Sequence, residues 1–180
     1  VPENINIFEP NEEDINYLIS QLNASKRPIV LIGSGVKLSK ATEELEEFIE
    51  KNNIPLVYAP SGADTYGLDN ELSIGSVGIM GCSRAGNFAV QNSDLVLVLG
   101  NRLNSMVVGE KCQFAREAKV IVVDIDEVEH SKGSVNIHRL IISDIKQLLN
   151  SLNIVDLKKA ENKWVDKCLH WKEIFPKCED

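Results

Sequence analysis

Apolar residues in this chain gather into short unbroken runs, with amphipathic stretches at helical spacing between them. The runs are Pro28-Ile-Val-Leu-Ile-Gly33, Ile54-Pro-Leu-Val-Tyr-Ala59, Asp94-Leu-Val-Leu-Val-Leu-Gly100 and Lys119-Val-Ile-Val-Val-Asp124. A continuous apolar run closed by glycine or an acid fits a strand buried on both faces, as in a parallel sheet under helices. The run ending at Gly100 is the most emphatic. Val135–Ile142 predicts a weaker strand at a sheet edge.

The amphipathic stretches predict the helices. Asn11 opens the first, with Glu12, Glu13 and Asp14 in its first turn, where negative charge favours the helix dipole. Ile15, Leu18, Ile19 and Leu22 share its inner face, and Asn23, Ala24, Ser25 and Pro28 close it. Ser39 is expected to cap the next helix, with Leu38, Ala41, Leu45, Phe48 and Ile49 as the inner stripe. Glu43, Glu44, Glu46, Glu47 and Glu50 form its solvated face. A Gly-rich passage covers Pro60–Gly86, followed by a short helix over Asn87–Asn92 and, after the last strand, one through Ile145, Leu148 and Leu149. Strands alternating with helices of this length imply right-handed crossovers. The expected fold is α/β: a doubly wound parallel sheet of about six strands with helices on both faces.

Trp164, Cys168, Trp171 and Phe175 form an aromatic stripe on a further predicted helix. Two readings stand: it packs back on its own sheet, or it is a linker helix meant for a neighbouring domain, as exposed aromatics often mark an interface.

Composition narrows the function classes. The chain has 180 residues, and 19 Lys+Arg against 27 Asp+Glu give 19 − 27 = −8 at pH 7. That balance argues against a nucleic-acid partner, since affinity for a phosphate backbone comes from Lys and Arg displacing counterions. A nucleotide needs only a few backbone N–H groups and an arginine. No apolar run approaches the ~20 residues of a membrane span, and the acidic, polar first residues do not read as a signal peptide. Cys82, Cys112, Cys168 and Cys178 show no C-x-x-C spacing, which points to idle thiols in a reducing cytoplasm rather than a zinc site or disulfide.

Candidate chemistry lies at the carboxyl ends of the predicted strands, where open α/β sheets bind ligands. Gly33-Ser34-Gly35 follows a strand and precedes a helix, the context of a phosphate-binding turn; a tight turn needing glycine for positive φ is the equal alternative. Leu38 stands where a G-x-G-x-x-G fingerprint needs its last glycine, and the second strand ends without an acid for a ribose. Ser61-Gly62, Gly100-Asn101-Arg102, Asp124-Ile125-Asp126 and Ser143-Asp144 fall at the same edge. Arg102 could clamp a phosphate, and Asp124 or Asp126 could accept from a ribose hydroxyl. His130, His138 and His170 stand in unrelated segments, with His138 read as a sheet residue. No P-loop, H-E-x-x-H or G-x-S-x-G occurs. No catalytic residue and no metal ligand is expected.

The segments RPIVLIGSGV, IPLVYAPSGADTYGLDNELSIGSVGIMG, AGNFAVQNSDLVLVLGNRL and KVIVVDIDEVEHSK, in this order, resemble the central domain of thiamine-diphosphate-dependent enzymes of the acetolactate synthase type. The resemblance runs from about Arg27 to Leu149 and is nearly gapless through Ile54–Arg102. It implies a Rossmann-like central domain over 27–150, a connector and helix over 1–26, and a linker helix over 151–180. In such enzymes thiamine diphosphate binds with Mg²⁺ between a pyrimidine-binding and a diphosphate-binding domain, at a subunit interface of a homo-oligomer. This chain has no G-D-G and no room for either outer domain, so the resemblance implies an excised central domain, inactive by itself. The parent would decarboxylate a 2-oxo acid and carboligate it.

In acetolactate synthases the central domain binds FAD, and in some relatives ADP. The positions that match are Gly33, Ser34, Gly35, Gly81, Gly100, Arg102, Asp124, Ile125, Asp126 and Asp144. The chain departs from the pattern where G-x-R-F-D-D-R becomes Gly100-Asn-Arg-Leu-Asn-Ser-Met106, where Pro60-Ser61 replaces Leu-Met, and where Met80 replaces a histidine. These departures imply an emptied or nucleotide-only pocket rather than an FAD site. Two alternatives remain: a stand-alone nucleotide-binding regulatory module, and a self-contained Rossmann-type enzyme.

Overall fold

The computed structural model describes residues 8–79, 83–133 and 135–175. In chain order the elements are α1 (Glu12–Ala24), β1 (Pro28–Ile32), α2 (Ser34–Leu38), α3 (Thr42–Asn52), β2 (Leu56–Tyr58), β3 (Ser73–Ser76), α4 (Arg84–Asn92), β4 (Leu95–Leu99), α5 (Ser105–Val108), β5 (Lys119–Asp124), α6 (Glu127–His130), β6 (Arg139–Ile142), α7 (Ile145–Asn153) and α8 (Asn162–Ile174).

All six strands are parallel, in the order β3-β2-β1-β4-β5-β6. The chain winds outward from β1 in one direction, then returns to β4 and winds in the other. The doubly wound sheet read from the apolar runs is therefore present, and its switch point lies between β1 and β4. Every residue of β1 and β4 is buried, as strands covered on both faces must be. Helices α1, α3 and α7 pack together as one group; α4 packs against α8 and against β2 and β3.

Several local readings change. Ser39 does not cap the second long helix: it ends α2, where its hydroxyl donates to the Val36 carbonyl, and Ala41 precedes α3. Leu38 leaves the inner stripe and is 81% exposed, whereas Ala41, Leu45, Phe48 and Ile49 are fully buried. The Gly-rich passage holds a strand, β3, with only one large apolar residue, Ile74. Helix α4 starts at Arg84, its N-terminus capped by the Ser83 hydroxyl accepting from Gly86 N–H.

The aromatic helix α8 closes on its own sheet. Trp164 and Cys168 are buried, and the Trp164 indole N–H donates to the Pro28 carbonyl at 2.9 Å. Trp171 and Phe175 stack on Phe88 of α4. Burial pushes the Cys168 thiol well above its ordinary value, so it packs as a small protonated apolar group. Cys112 is exposed and free, while Cys82 and Cys178 lie outside the described residues. At the other end, Asp14 of α1 accepts from the Arg139 guanidinium at 2.7 Å and ties α1 to the edge strand β6.

Candidate functional site

The topology brings the strand-end candidates to one edge of the sheet. Gly33, Gly100, Asp124 and Ser143 sit at or directly after the carboxyl ends of β1, β4, β5 and β6. At the switch point the turns meet backbone to backbone. Gly33 N–H donates to the Leu99 carbonyl at 3.0 Å, and Gly35 N–H to the Gly100 carbonyl at 3.1 Å. A Cβ on Gly33 would lie 2.4 Å from the Gly100 oxygen, and one on Gly35 2.5 Å from the Gly100 Cα. Gly62, in the turn after β2, packs against Gly33, and Ile145, first in α7, packs against Gly100.

This packing explains the glycines. Gly33 has φ −124° and Gly35 is not left-handed, so neither is there for positive φ. Both are there because another backbone occupies the place of a side chain. Gly100 needs glycine on both counts, with φ 58° and Gly35 against it. The Gly35 N–H that a phosphate would use is already taken by a carbonyl, and α2 that follows has five residues.

The three acids are engaged in the same manner. The Asp124 carboxylate accepts from the N–H groups of Ile125 at 2.8 Å and Asp126 at 3.1 Å, and bonds His130 Nε2 at 3.2 Å. Burial would raise its pKa; the bond to His130 and the two backbone donors outweigh that and hold the carboxyl below its usual range. Asp126 caps α6 by accepting from Glu129 N–H, and Asp144 caps α7 by accepting from Gln147 N–H. Asp144 also donates its own N–H to Phe8. Ile125 is exposed. Arg102 and Ser34 are exposed, and Gly81 lies outside the described residues.

Two further residues belong to this edge: His130, which the sequence reading left in an unrelated segment, and Asn101, which it placed at the edge without a role. His130 is buried, and its Nδ1 has no hydrogen-bond partner among the described residues. Its pairing with Asp124 requires the single turn of α6 to fold back over β5, which a spacing of six residues does not announce. Asn101 is buried beside Gly33 and accepts from Leu103 N–H at 2.8 Å, holding Leu103 at φ 50°. The pattern Asn-x-Leu after a glycine is a readable Asx turn. His138, read as a strand residue, lies just before β6 and meets Val120 of β5 from there, its Nδ1 accepting from the Val120 N–H and its own N–H donating to the Val120 carbonyl.

The arrangement is one of caps and close backbone contacts. Among the described residues no three His, Cys, Asp or Glu side chains gather closely enough to hold a metal ion. Among the same residues no helix is long and apolar enough to cross a membrane.

Comparison with known proteins agrees with the topology. Residues 15–152 match the family described as thiamine pyrophosphate enzyme, central domain. The chain is 34% identical to an acetolactate synthase large subunit of Cyanidium caldarium, over 94% of this chain and 30% of that protein. It is 35% identical to the chloroplastic acetolactate synthase 2 of Nicotiana tabacum, over 86% and 22%. It is 31% identical to an acetolactate synthase large subunit of Lactococcus lactis, over 92% and 28%. The chain thus spans between 22% and 30% of the length of these relatives.

Proposed function

The chain belongs to the thiamine pyrophosphate enzymes of the acetolactate synthase type, as their central domain, and from that membership we propose that it is the structural middle of a larger enzyme whose reacting groups lie on other domains. The parent on this reading decarboxylates a 2-oxo acid and carboligates the product, in the cytoplasm, as a homo-oligomer. Thiamine diphosphate supplies the carbanion-stabilising chemistry there, held with Mg²⁺ between a pyrimidine-binding and a diphosphate-binding domain of the same polypeptide.

One observation carries this reading: the acids at the ligand edge are spent on the fold. Asp124 and Asp126 share the turn between β5 and α6, Asp144 lies on the turn between β6 and α7, and all three accept from backbone N–H groups. Turned to the backbone in this way, and with no three His, Cys, Asp or Glu side chains gathered to hold a metal ion among the described residues, they offer no ready site for a magnesium diphosphate.

A second reading rests on the exposed rim of the same edge. Ser34, Arg102 and Asp126 are exposed after β1, β4 and β5, and they suit a phosphate, through Arg102, and a ribose hydroxyl, through the Asp126 carboxylate oxygen other than the Oδ1 that caps α6. ADP fits this rim better than FAD. Where the resemblance places two acids and an arginine, Asn104 instead caps α5 by accepting from the N–H groups of Met106 and Val107.

Reading the coding sequence outward from Val1 and Asp180 tests the first reading. A downstream segment with G-D-G followed by an asparagine is expected, and flanks without thiamine-enzyme segments overturn it. For the second, ADP should raise the melting temperature of the chain and Arg102→Ala should remove that rise. No rise with either ADP or FAD sinks the nucleotide reading and leaves the first intact.

A further inference from the structure

At the amino edge of the sheet, opposite the strand ends discussed above, a recess of about 240 Å³ is lined by Lys26, Arg27, Glu161, Lys163, Trp164 and Lys167. Four cations against one carboxylate give a local balance of 4 − 1 = +3 on a chain whose net charge is −8. Neither segment is basic enough alone to show this. The fold creates it by laying α8 beside the turn into β1, where the Trp164 indole N–H holds the Pro28 carbonyl.

Two carboxylates, Glu161 in the lining and Asp94 at the turn, temper the four cations without pairing with any of them. Among the described residues none of the four makes a salt bridge. Glu161 lies 3.8 Å from Lys158, outside the group. Asp94 at this turn accepts from the Ser25 hydroxyl and from the backbone N–H groups of Lys26 and Arg27, neutral donors that leave its charge in place, so the neighbourhood balance is 4 − 2 = +2. Arg27 Nε donates to the Asn92 carbonyl, which orients the guanidinium without offsetting its charge. Lys167 lies over the Trp171 ring at 5.0 Å, which steadies it and leaves it charged. The Trp164 side chain is buried, so the floor of the recess is rigid while its rim is cationic.

We propose that this recess is a binding site for a small oxyanion carrying two or more negative charges, such as a diphosphate or a tricarboxylate. Converging ammonium and guanidinium groups make charge-assisted hydrogen bonds to such an ion. The volume falls below the roughly 300 Å³ where sites for drug-sized ligands begin, which suits an ion of a few heavy atoms rather than a nucleotide. The site rests on none of the reasoning about the carboxyl edge.

The test is thermal unfolding of the 180-residue chain in dilute buffer, with inorganic diphosphate, citrate, or sodium chloride at matched ionic strength. Diphosphate at about a hundred times its Kd should raise the melting temperature by on the order of 5 °C. The double variant Lys163→Gln, Lys167→Gln should fold with an unchanged circular dichroism spectrum and lose that rise. Arg102→Ala should keep it. A rise with diphosphate alone assigns the site to phosphate, and a rise with citrate as well assigns it to multivalent oxyanions in general. No rise, an equal rise with sodium chloride, or an unaltered rise in the double variant overturns the proposal.

Discussion

Gly35 and Gly100 touch so closely that a Cβ added to either would stand 2.5 Å from the Cα of the other. This contact locks the turn after β1 to the turn after β4 at the point where the winding of the sheet reverses. Real Cβ atoms do not come so near, and both obstacles are backbone, so the strand ends themselves would have to part. Gly35→Ala and Gly100→Ala should each destabilise the chain by about 3 kcal/mol. Gly100→Ala should be the worse because it adds a left-handed residue. Urea denaturation of each variant measures this. Loss of less than about 1 kcal/mol in Gly35→Ala would show that the turns separate easily.

Asp124 should confer a pH dependence on stability. Its pKa is depressed in the folded protein, so its contribution is fully present above the unfolded value of about 3.9 and is lost as pH falls through the folded one. Wild type should therefore lose stability below about pH 4 more steeply than Asp124→Ala. At pH 7 that variant should be weaker by about 2 kcal/mol, having removed a carboxylate that accepts three hydrogen bonds. Denaturation curves between pH 2 and 7 measure both effects. Parallel curves for the two proteins would refute the linkage.

Trp164 separates a core helix from a dangling connector. Trp164→Phe replaces the buried indole by a smaller single ring and loses the bond to Pro28, which should cost about 2 kcal/mol. Trp164→Ala opens the space beneath α8 and should cost about 4 kcal/mol. Far-ultraviolet circular dichroism during urea unfolding reads both. Equal stability of all three proteins would mean that α8 is not held on the sheet.

Arg102 is exposed and makes no hydrogen bond or ion pair to another of the described residues, so Arg102→Ala should leave stability within about 0.5 kcal/mol of wild type. Its effect should be confined to nucleotide binding, read as loss of the ADP-dependent rise in melting temperature.

The sheet was legible where packing alone determines the residues. Lys119–Asp124 matches β5 at both ends, and the runs ending at Gly33 and Gly100 contain β1 and β4. These strands are covered on both faces, so their side chains are uniformly apolar. The edge strands carry no such signature. β3 has Ser73, Gly75 and Ser76 around Ile74, and its place depends on Gly75 and Gly86 letting α4 approach. β6 is shorter than its apolar pattern because pairing with β5 begins only at Arg139. The edge positions were legible as a set, but their duties were not. An aspartate at a strand end reads the same whether it meets a ribose or the first N–H groups of the next helix, and only the folded turn shows Asp126 and Asp144 capping α6 and α7.

If the carboxyl edge of this domain is spent on its own fold, that edge has no means of holding thiamine diphosphate. Isothermal titration of the Lys163→Gln, Lys167→Gln chain, whose cationic recess at the amino edge is disarmed, with thiamine diphosphate and Mg²⁺ should give no heat beyond dilution, and pyruvate added to the mixture should yield no acetolactate. Saturable binding with a defined stoichiometry, or acetolactate formed by the chain alone, would contradict the account.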